Sequence, residues 1–124
     1  MRLAFTVPGL PRPKARPRLG KHGNVYTPLT TVQFERDVGV YALASFVRCG
    51  WRVTCEPCRI HLHVFLGSRR RVDLDNIAKS VLDGLNRLAV ADDSQFVEGS
   101  WKSEIDANNP RVYIELETID GGGA

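Results

Sequence analysis

Two short acidic segments stand out in a chain whose overall charge is mildly basic. Asp73 and Asp75 belong to the run Asp-Leu-Asp-Asn that ends at Asn76, and the pair Asp92-Asp93 follows seventeen residues after Asp75. Carboxylate oxygens are the protein ligands that Mg²⁺ prefers, usually one or two of them, with water and phosphate completing the coordination shell. Acid concentrated in this way predicts a metal site that acts on a polyanion.

Each acidic segment also has a purely structural interpretation. Asp and Asn are favoured at the start of a helix, where acids also suit the positive end of the helix dipole. That role would account for Asp75 or Asn76, but not for three polar residues in four that follow three arginines with only Val72 between. An Asp-Asp pair such as Asp92-Asp93 is ordinarily a solvated loop. Spacing alone leaves both interpretations open.

One amphipathic helix is predicted between the acidic segments, from about Asp75 or Asn76 to Ala89. At 100° per residue the apolar side chains fall on one arc and the polar side chains on the opposite, exposed arc. The residues predicted on the exposed arc are Asn76, Lys79, Ser80, Asp83, Asn86 and Arg87. Such a helix of about fourteen residues spans about 21 Å. Asp93 therefore reaches Asp75 only if the next strand returns beside the helix start, or if another chain contributes.

Lys79 lies one turn beyond Asp75 on the exposed arc. A solvated lysine is the ordinary interpretation of any single Lys on a helix. Beside a metal-bound phosphate, the same ammonium group would stabilise charge that develops in a transition state.

Basic residues cluster at the N-terminus and directly before the first acidic segment. The candidates for phosphate contact are Lys14, Arg16, Arg18, Arg69, Arg70 and Arg71. Prolines in the stretch from Pro11 to Arg18 keep the backbone stiff and extended, which lowers the entropic cost of presenting the cations. A basic surface loop is the alternative, and the acidic segments favour contact with a DNA backbone.

The remaining patterns predict a single α/β (α+β) domain over residues 1–120, with 121–124 as a frayed tail. A small mixed sheet of about four strands carries two main helices in the order β-α-β-α-β-β. A Thr30–Gln33 capping box is expected to start the first helix, Gly50 to end it, and the last two strands to form a hairpin. The predicted elements are strands Leu3–Val7, Arg59–Leu66, Phe96–Ile105 and Arg111–Ile119, a helix from Thr30 or Thr31 to about Arg48, and the helix described above.

Composition is that of a folded protein of one domain. The chain has 124 residues, 43% apolar and 25% charged, with a net charge of +3, so the charge excess alone does not establish binding to nucleic acid. No apolar run approaches the roughly eighteen residues of a membrane span, and the first residues lack the apolar core of a signal peptide. We expect no membrane association and a cytoplasmic location.

The cysteine count is odd, which favours reduced thiols over a disulfide framework. Cys55 and Cys58, with His61 and His63 close behind, are spaced like zinc ligands. A second conventional ligand pair is missing, and a loop with two free thiols is the simpler interpretation.

The string from Arg69 to Asn86, followed by Asp92-Asp93-Ser94-Gln95, resembles the RusA family of Holliday junction resolvases. The segments Phe5 to Gly9 and Pro13 to Arg18 are also similar to that family, so the resemblance covers nearly the whole chain. It implies a homodimeric, Mg²⁺-dependent endodeoxyribonuclease, with Mn²⁺ as a substitute, that resolves four-way DNA by paired nicks in recombination and repair. The acidic sites of that family lie near the subunit interface.

The resemblance also implies roles for individual residues. It assigns Asp73, Asp75, Lys79 and Asp93 as the catalytic set, with the three aspartates holding the metal and Asp92 the less favoured member of its pair. Asn76 and Asp83 are supporting residues on the same helix face. Two alternatives stay open on the sequence: a junction-binding protein without catalysis, and a zinc-stabilised accessory protein built on Cys55 and Cys58.

Overall fold

A computed structural model describes residues 1–12, 18–26, 28–69 and 72–119. The four strands of its main sheet and its two helices follow the predicted order β-α-β-α-β-β, and a short ribbon of two strands, not expected from the sequence, precedes the first helix. In chain order the elements are β1 (Arg2–Pro8), β2 (Arg18–Leu19), β3 (Val25–Tyr26), α1 (Leu29–Cys49), β4 (Cys58–Leu66), α2 (Leu74–Leu85), a 3-10 helix (Asp93–Gln95), β5 (Phe96–Ile105) and β6 (Arg111–Thr118).

The main sheet has the strand order β1-β6-β4-β5. β6 is antiparallel to both β1 and β4, whereas β5 runs parallel to β4. The predicted hairpin of β5 with β6 is therefore wrong, because β4 lies between them. A crossover through α2 returns the chain parallel to β4 and leaves β5 on the outer edge. The connection to β6 then passes the end of β4, where the Asp106 N–H donates to the Leu66 carbonyl at 2.8 Å.

One face of the sheet packs against both helices and forms the core. Alternate residues of β1, β4 and β6 are buried there, while β5 is largely exposed along its length. The opposite face carries polar and aromatic side chains: His63 stacks on Phe65, and the Arg111 guanidinium lies 3.6 Å from the centre of the Phe65 ring. The sheet is thus covered on one side by protein and open on the other.

Helix α1 begins one residue earlier than expected and without the predicted capping box. Pro28 occupies the cap position and no side chain caps the helix; the carbonyl of Pro28 instead accepts the backbone N–H groups of Thr31 and Val32. The side chain of Gln33 is taken up by Asp37, to which it donates at 2.8 Å. Gly50 ends the helix as expected, with a left-handed φ of 66°.

Helix α2 is shorter than predicted at its C-terminal end. It begins at Leu74, with Asp73 as its cap, and ends at Leu85, because Asn86 is extended, with a ψ of 130°, and Arg87 follows with a left-handed φ of 64°. Ser80, predicted on the exposed arc, is fully buried. It shares a helix face with Gly84, where a Cβ atom would lie 2.6 Å from the Glu35 carbonyl of α1. Helix α1 therefore lies so close to this face of α2 that Ser80 is buried, although the sequence predicted it to be exposed.

Within the described ranges, no helix is both long enough and apolar enough to cross a membrane.

Candidate active site

The first acidic segment lies at one end of the sheet. β4 and β5 both end there, with Leu66 beside Ile105. Helix α2 starts at Leu74, after the loop that follows β4. β1 ends at the same level, since Pro8 pairs with Arg111 and Arg111 with Phe65. The chain that leaves β1 therefore enters the predicted basic stretch at the end of the sheet where the acidic segment begins.

A cleft of about 320 Å³ separates the start of that basic stretch from the loop before α2. Leu10, Pro11 and Arg12 line one side, and Leu66, Gly67, Ser68 and Val72 line the other. Arg69, one of the predicted phosphate contacts, is exposed in this loop. Lys14, Arg16, Arg70 and Arg71 lie outside the described residues, and so does the side chain of Arg18.

Asp73 is the N-cap of α2, a role that the sequence suggested for Asp75 or Asn76. Its Oδ1 accepts the backbone N–H of Asp75 at 2.9 Å and that of Asn76 at 3.3 Å. Its Oδ2 accepts the side-chain amide of Asn76 at 3.1 Å. Because both oxygens are engaged by the helix that follows, the carboxylate has a fixed direction, and Asn76 acts as its support.

Asp75 is exposed in the first turn of α2, and Leu74 between the two aspartates packs against the core. Its Oδ1 accepts the indole N–H of Trp101, which β5 brings from the neighbouring layer, at 3.2 Å. Its Oδ2 forms no hydrogen bond with the described residues. One oxygen of Asp75 is thus held while the other is available.

The exposure of the side chains on α2 agrees in part with the arc predicted from the sequence. Lys79 and Asp83 are both exposed, and Asn76 is half-buried beside Asp73. The structure therefore places Asp73, Asp75, Asn76 and Lys79 within the first turns of one helix, with Asp83 on the next turn.

The second acidic segment forms the cap and first residue of the 3-10 helix, where a loop was predicted. Asp92 accepts the backbone N–H of Ser94 at 3.2 Å and also its hydroxyl. The Ser94 hydroxyl, followed by the Ser94 N–H, lowers the pKa of Asp92. Asp93 is exposed, and its carboxylate forms no hydrogen bond or ion pair with the residues that the structure describes. The pair thus divides into a capping residue and an available carboxylate.

Gln95 anchors this segment to the body of the protein. Its side-chain oxygen accepts the Asp92 N–H at 2.9 Å, which completes a capping box. Its side-chain amide donates to the carbonyls of Thr54 and Glu56, at 2.7 and 2.9 Å. The 3-10 helix is therefore fixed to the start of β4, at the opposite end of the sheet from Asp75.

The two acidic segments lie far apart within one chain. The 12 residues of α2 span about 18 Å, and the strand from Phe96 to Trp101 spans about 16 Å. A returning strand was one of the two routes considered from the sequence. β5 does run back toward the start of α2, but the residue that it places there is Trp101, and Asp93 stays at the other end of the strand. Among the described residues, no three His, Cys, Asp or Glu side chains lie close enough to hold a metal ion.

The cysteines do not build a metal site among the described residues either. All three are free thiols. Cys58 points into the core, and burial, followed by the charge of Glu56, raises the pKa of its thiol. Cys55 is exposed, and His61 lies on the open face of the sheet, where its Nδ1 is 2.8 Å from the Ser100 hydroxyl oxygen.

Two residues at the acidic segments were not found by sequence reasoning. Trp101 reaches Asp75 only because β5 is parallel to β4 with Trp101 beside Leu62, and that register is not written in either acidic motif. Gln95 does carry a signal, since it stands three residues after Asp92 as in a capping box.

Both acidic segments and most of the fold fall within one family match. The model of the family endodeoxyribonuclease RusA matches residues 8–117, and the chain therefore belongs to the RusA endodeoxyribonuclease family. This family acts on Holliday junction DNA, which makes the chain a DNA-binding endonuclease of recombination. No curated protein matches the sequence.

Proposed function

We propose that the protein is a metal-dependent, structure-selective endonuclease that resolves four-way DNA junctions by paired nicks. The single observation that carries the proposal is the start of α2, where two exposed aspartates of a RusA-family chain lie in one helical turn. Structural capping accounts for Asp73 but not for Asp75, whose carboxylate caps nothing. Asp75 is therefore the residue on which the proposal depends most.

The donors at this position suit a hard divalent cation. Asp75 Oδ2 has no hydrogen-bond partner among the described residues, and Asp73 Oδ2 accepts one hydrogen bond, from Asn76, which leaves it a second lone pair. Oxygen ligands of this kind fit Mg²⁺, or Mn²⁺ in its place. When bound, such a cation polarises a phosphate and lowers the pKa of a water molecule that serves as nucleophile.

The residues of the chain supply orientation and charge. Asn76 donates to Asp73 and keeps its carboxylate directed at the helix start. Lys79, exposed one turn beyond Asp75, would stabilise negative charge on the phosphate in the transition state, and Asp83 is proposed as a supporting residue. The candidate phosphate-binding side chains are Lys14, Arg16, Arg18, Arg69, Arg70 and Arg71. Contacts of this kind carry no sequence information and weaken steeply with salt.

We further propose that the active form is a homodimer in which Asp93 of a second copy completes the metal site. The indole of Trp101 hydrogen-bonds to Asp75, so Asp75 lies next to β5, which is one of the two edge strands of the main sheet. A second copy that docks along β5 would therefore approach the acidic helix start directly. The separation of Asp75 from Asp93 in one chain is what this arrangement would overcome.

Antiparallel pairing of β5 with its copy would have the required direction. If the twofold axis passed near Gly99, Phe96 of one copy would lie opposite Lys102 of the other, so the second copy's Asp93 would lie near the helix start that carries Asp75. Val97, 63% exposed in the single chain, would then cover the ring of Trp101. Exposed edge strands are natural templates for such pairing.

The direct test is a nicking assay on a fixed synthetic four-way junction, with Asp75→Asn compared with the wild type in Mg²⁺, in Mn²⁺ and in chelator. We expect wild-type protein to place symmetric nicks on opposing strands only when the metal is present, and Asp75→Asn to bind the junction without nicking it. Nicking by Asp75→Asn at the wild-type rate would overturn the metal assignment. Junction binding by the wild type without nicking in either metal would favour a non-catalytic binding protein.

A further inference from the structure

Trp101 of β5 hydrogen-bonds to Asp75, a candidate metal-binding carboxylate on a different element of the fold. We propose that Trp101 is a positioning residue: its indole N–H fixes the Asp75 carboxylate so that Oδ2 is presented to the cation. The inference rests on the proposed metal-dependent nuclease and adds a residue to it. The 3.2 Å bond from Nε1 to Asp75 Oδ1 is its geometric basis.

The chemistry of an indole suits this task. Trp donates one hydrogen bond and accepts none, and it is neutral, so it orients a carboxylate without neutralising the charge that attracts a cation. A Lys or Arg in the same place would compete with the metal for Asp75. Partners that hold a metal ligand in this way typically change metal affinity or activity by about 10–100-fold when they are removed.

The sheet provides a seat for the indole ring. Gly99, two residues earlier on the same face of β5, has no side chain, and a Cβ atom there would lie 2.8 Å from Cζ3 of Trp101. The ring therefore lies over Gly99 and packs against the core near Ile60. This packing limits the directions that the N–H group can take, which is what a positioning role requires.

The decisive substitution is Trp101→Phe, which keeps an aromatic ring on Gly99 and removes the donor. We expect the Mg²⁺ concentration for half-maximal nicking to rise about tenfold, while nicking at saturating Mg²⁺ stays within about threefold of wild type because the carboxylate itself is intact. A loss of nicking that excess Mg²⁺ does not restore would contradict a positioning role. An unchanged Mg²⁺ dependence would overturn the proposal outright.

The chain has one other tryptophan, which offers a matched control. Trp51 is buried and donates its indole N–H to the Ala89 carbonyl at 3.0 Å, on the side of the fold away from Asp75. Trp51→Phe removes the same kind of hydrogen bond and is expected to lower stability without changing the Mg²⁺ dependence. If both substitutions shift that dependence equally, the effect of Trp101→Phe is one of general stability and the proposal fails.

Fluorescence emission tests the contact between Trp101 and Asp75 in a protein that keeps Trp101. In the Trp51→Phe background Trp101 is the only tryptophan, and titration with Mg²⁺ is expected to change its emission with the same midpoint as nicking. Asp75→Asn in that background should abolish the change. If the protein nicks in Mg²⁺ but the emission of Trp101 does not change, and if Trp101→Phe behaves like the wild type, the positioning role is rejected. The proposed nuclease would be unaffected by that result. Absence of metal-dependent nicking in the wild type would instead reject the nuclease.

Discussion

Asp73 holds the backbone that carries Asp75. Its Oδ1 accepts the Asp75 N–H at 2.9 Å, so one proposed metal ligand is also the cap of the helix that presents another. The proposed function and the observed cap therefore give the same residue two roles, one as a metal ligand and one in the structure of the helix. Substitutions at position 73 should separate the two roles.

Asp73→Asn should remove the charge and keep the cap, since Asn is as good an N-cap as Asp. We expect nicking to fall about a hundredfold or more, the scale of losing a few kcal/mol of metal-dependent stabilisation, with little change in unfolding free energy. Asp73→Ala should lose nicking as well and cost a further 1 kcal/mol or so of stability. Urea unfolding and a junction-nicking assay measure the two effects separately. Wild-type nicking by Asp73→Asn would show that capping is the only role of this residue.

The second acidic pair should divide in the same way, but between two residues. Asp93→Asn is expected to abolish nicking and leave stability unchanged, because its exposed carboxylate forms no hydrogen bond or ion pair with the described residues. Asp92→Asn keeps a capping side chain and should retain nicking. If the two variants exchange these phenotypes, the assignment of Asp93 as the ligand is wrong.

Asp92 should also leave a signature in the pH dependence of stability. Hydrogen bonds from Ser94 lower its pKa below the ordinary value of 3.8. A carboxylate whose folded pKa is lowered contributes stability that is fully present above the unfolded pKa and is lost as pH falls through the folded one. The stability difference between wild type and Asp92→Ala should therefore be constant from about pH 7 to 5 and shrink below 3.8. A difference that does not change down to pH 2 would contradict this origin.

The composite site predicts complementation between two inactive variants. A dimer formed from one Asp75→Asn chain and one Asp93→Asn chain would have one site with both defects and one site with neither. Mixing the two proteins should therefore restore nicking, one strand per binding event, whereas each variant alone stays inactive. A mixture that remains inactive, although subunit exchange is shown by tagged copies, would mean that each site belongs to a single chain.

Two glycines at the contact of α1 with α2 should respond differently to the same substitution. A Cβ atom on Gly84 would lie 2.6 Å from the Glu35 carbonyl and 2.9 Å from Cβ of Val38, whereas on Gly39 it would meet the end of the Leu88 side chain at 3.2 Å. Gly84→Ala should cost about 1–3 kcal/mol because a backbone must move. Gly39→Ala should change stability by less than about 1 kcal/mol, since a flexible side chain can shift and Ala favours the helix. Equal effects in urea unfolding would refute the close helix contact.

Local patterns were enough to predict most of the fold. Alternation of apolar residues located β4, and the boundaries of β5 were predicted to the residue, because short-range periodicity is a property of the segment itself. The pairing of β5 was predicted wrongly, since a neighbour in the sheet depends on the route of the whole chain. The end of α2 was also wrong, because a left-handed Arg87 is not a residue type that signals a stop.

Residue types alone indicated candidate residues of the site. Contacts between elements that are distant in the sequence could not be predicted. Asp73 and Asp75 became candidates because carboxylates two apart have a recognisable chemistry, and their assignment as ligands stays a prediction. The burial of Ser80 and the contact of Trp101 with Asp75 arise from elements that meet only in three dimensions, so no spacing along the chain reports them.

The pairing of β1 with β6 has a consequence for when the protein can begin to work. Arg2 pairs with Glu117, and among the described strands β6 alone bonds to β1 while also forming one side of β4. A ribosome-bound chain that has not yet released β6 lacks the strand that joins β1 to the rest of the sheet. The candidate active site at the end of that sheet should therefore assemble only after β6 has been synthesised, so that both acidic segments are made before the folded enzyme exists.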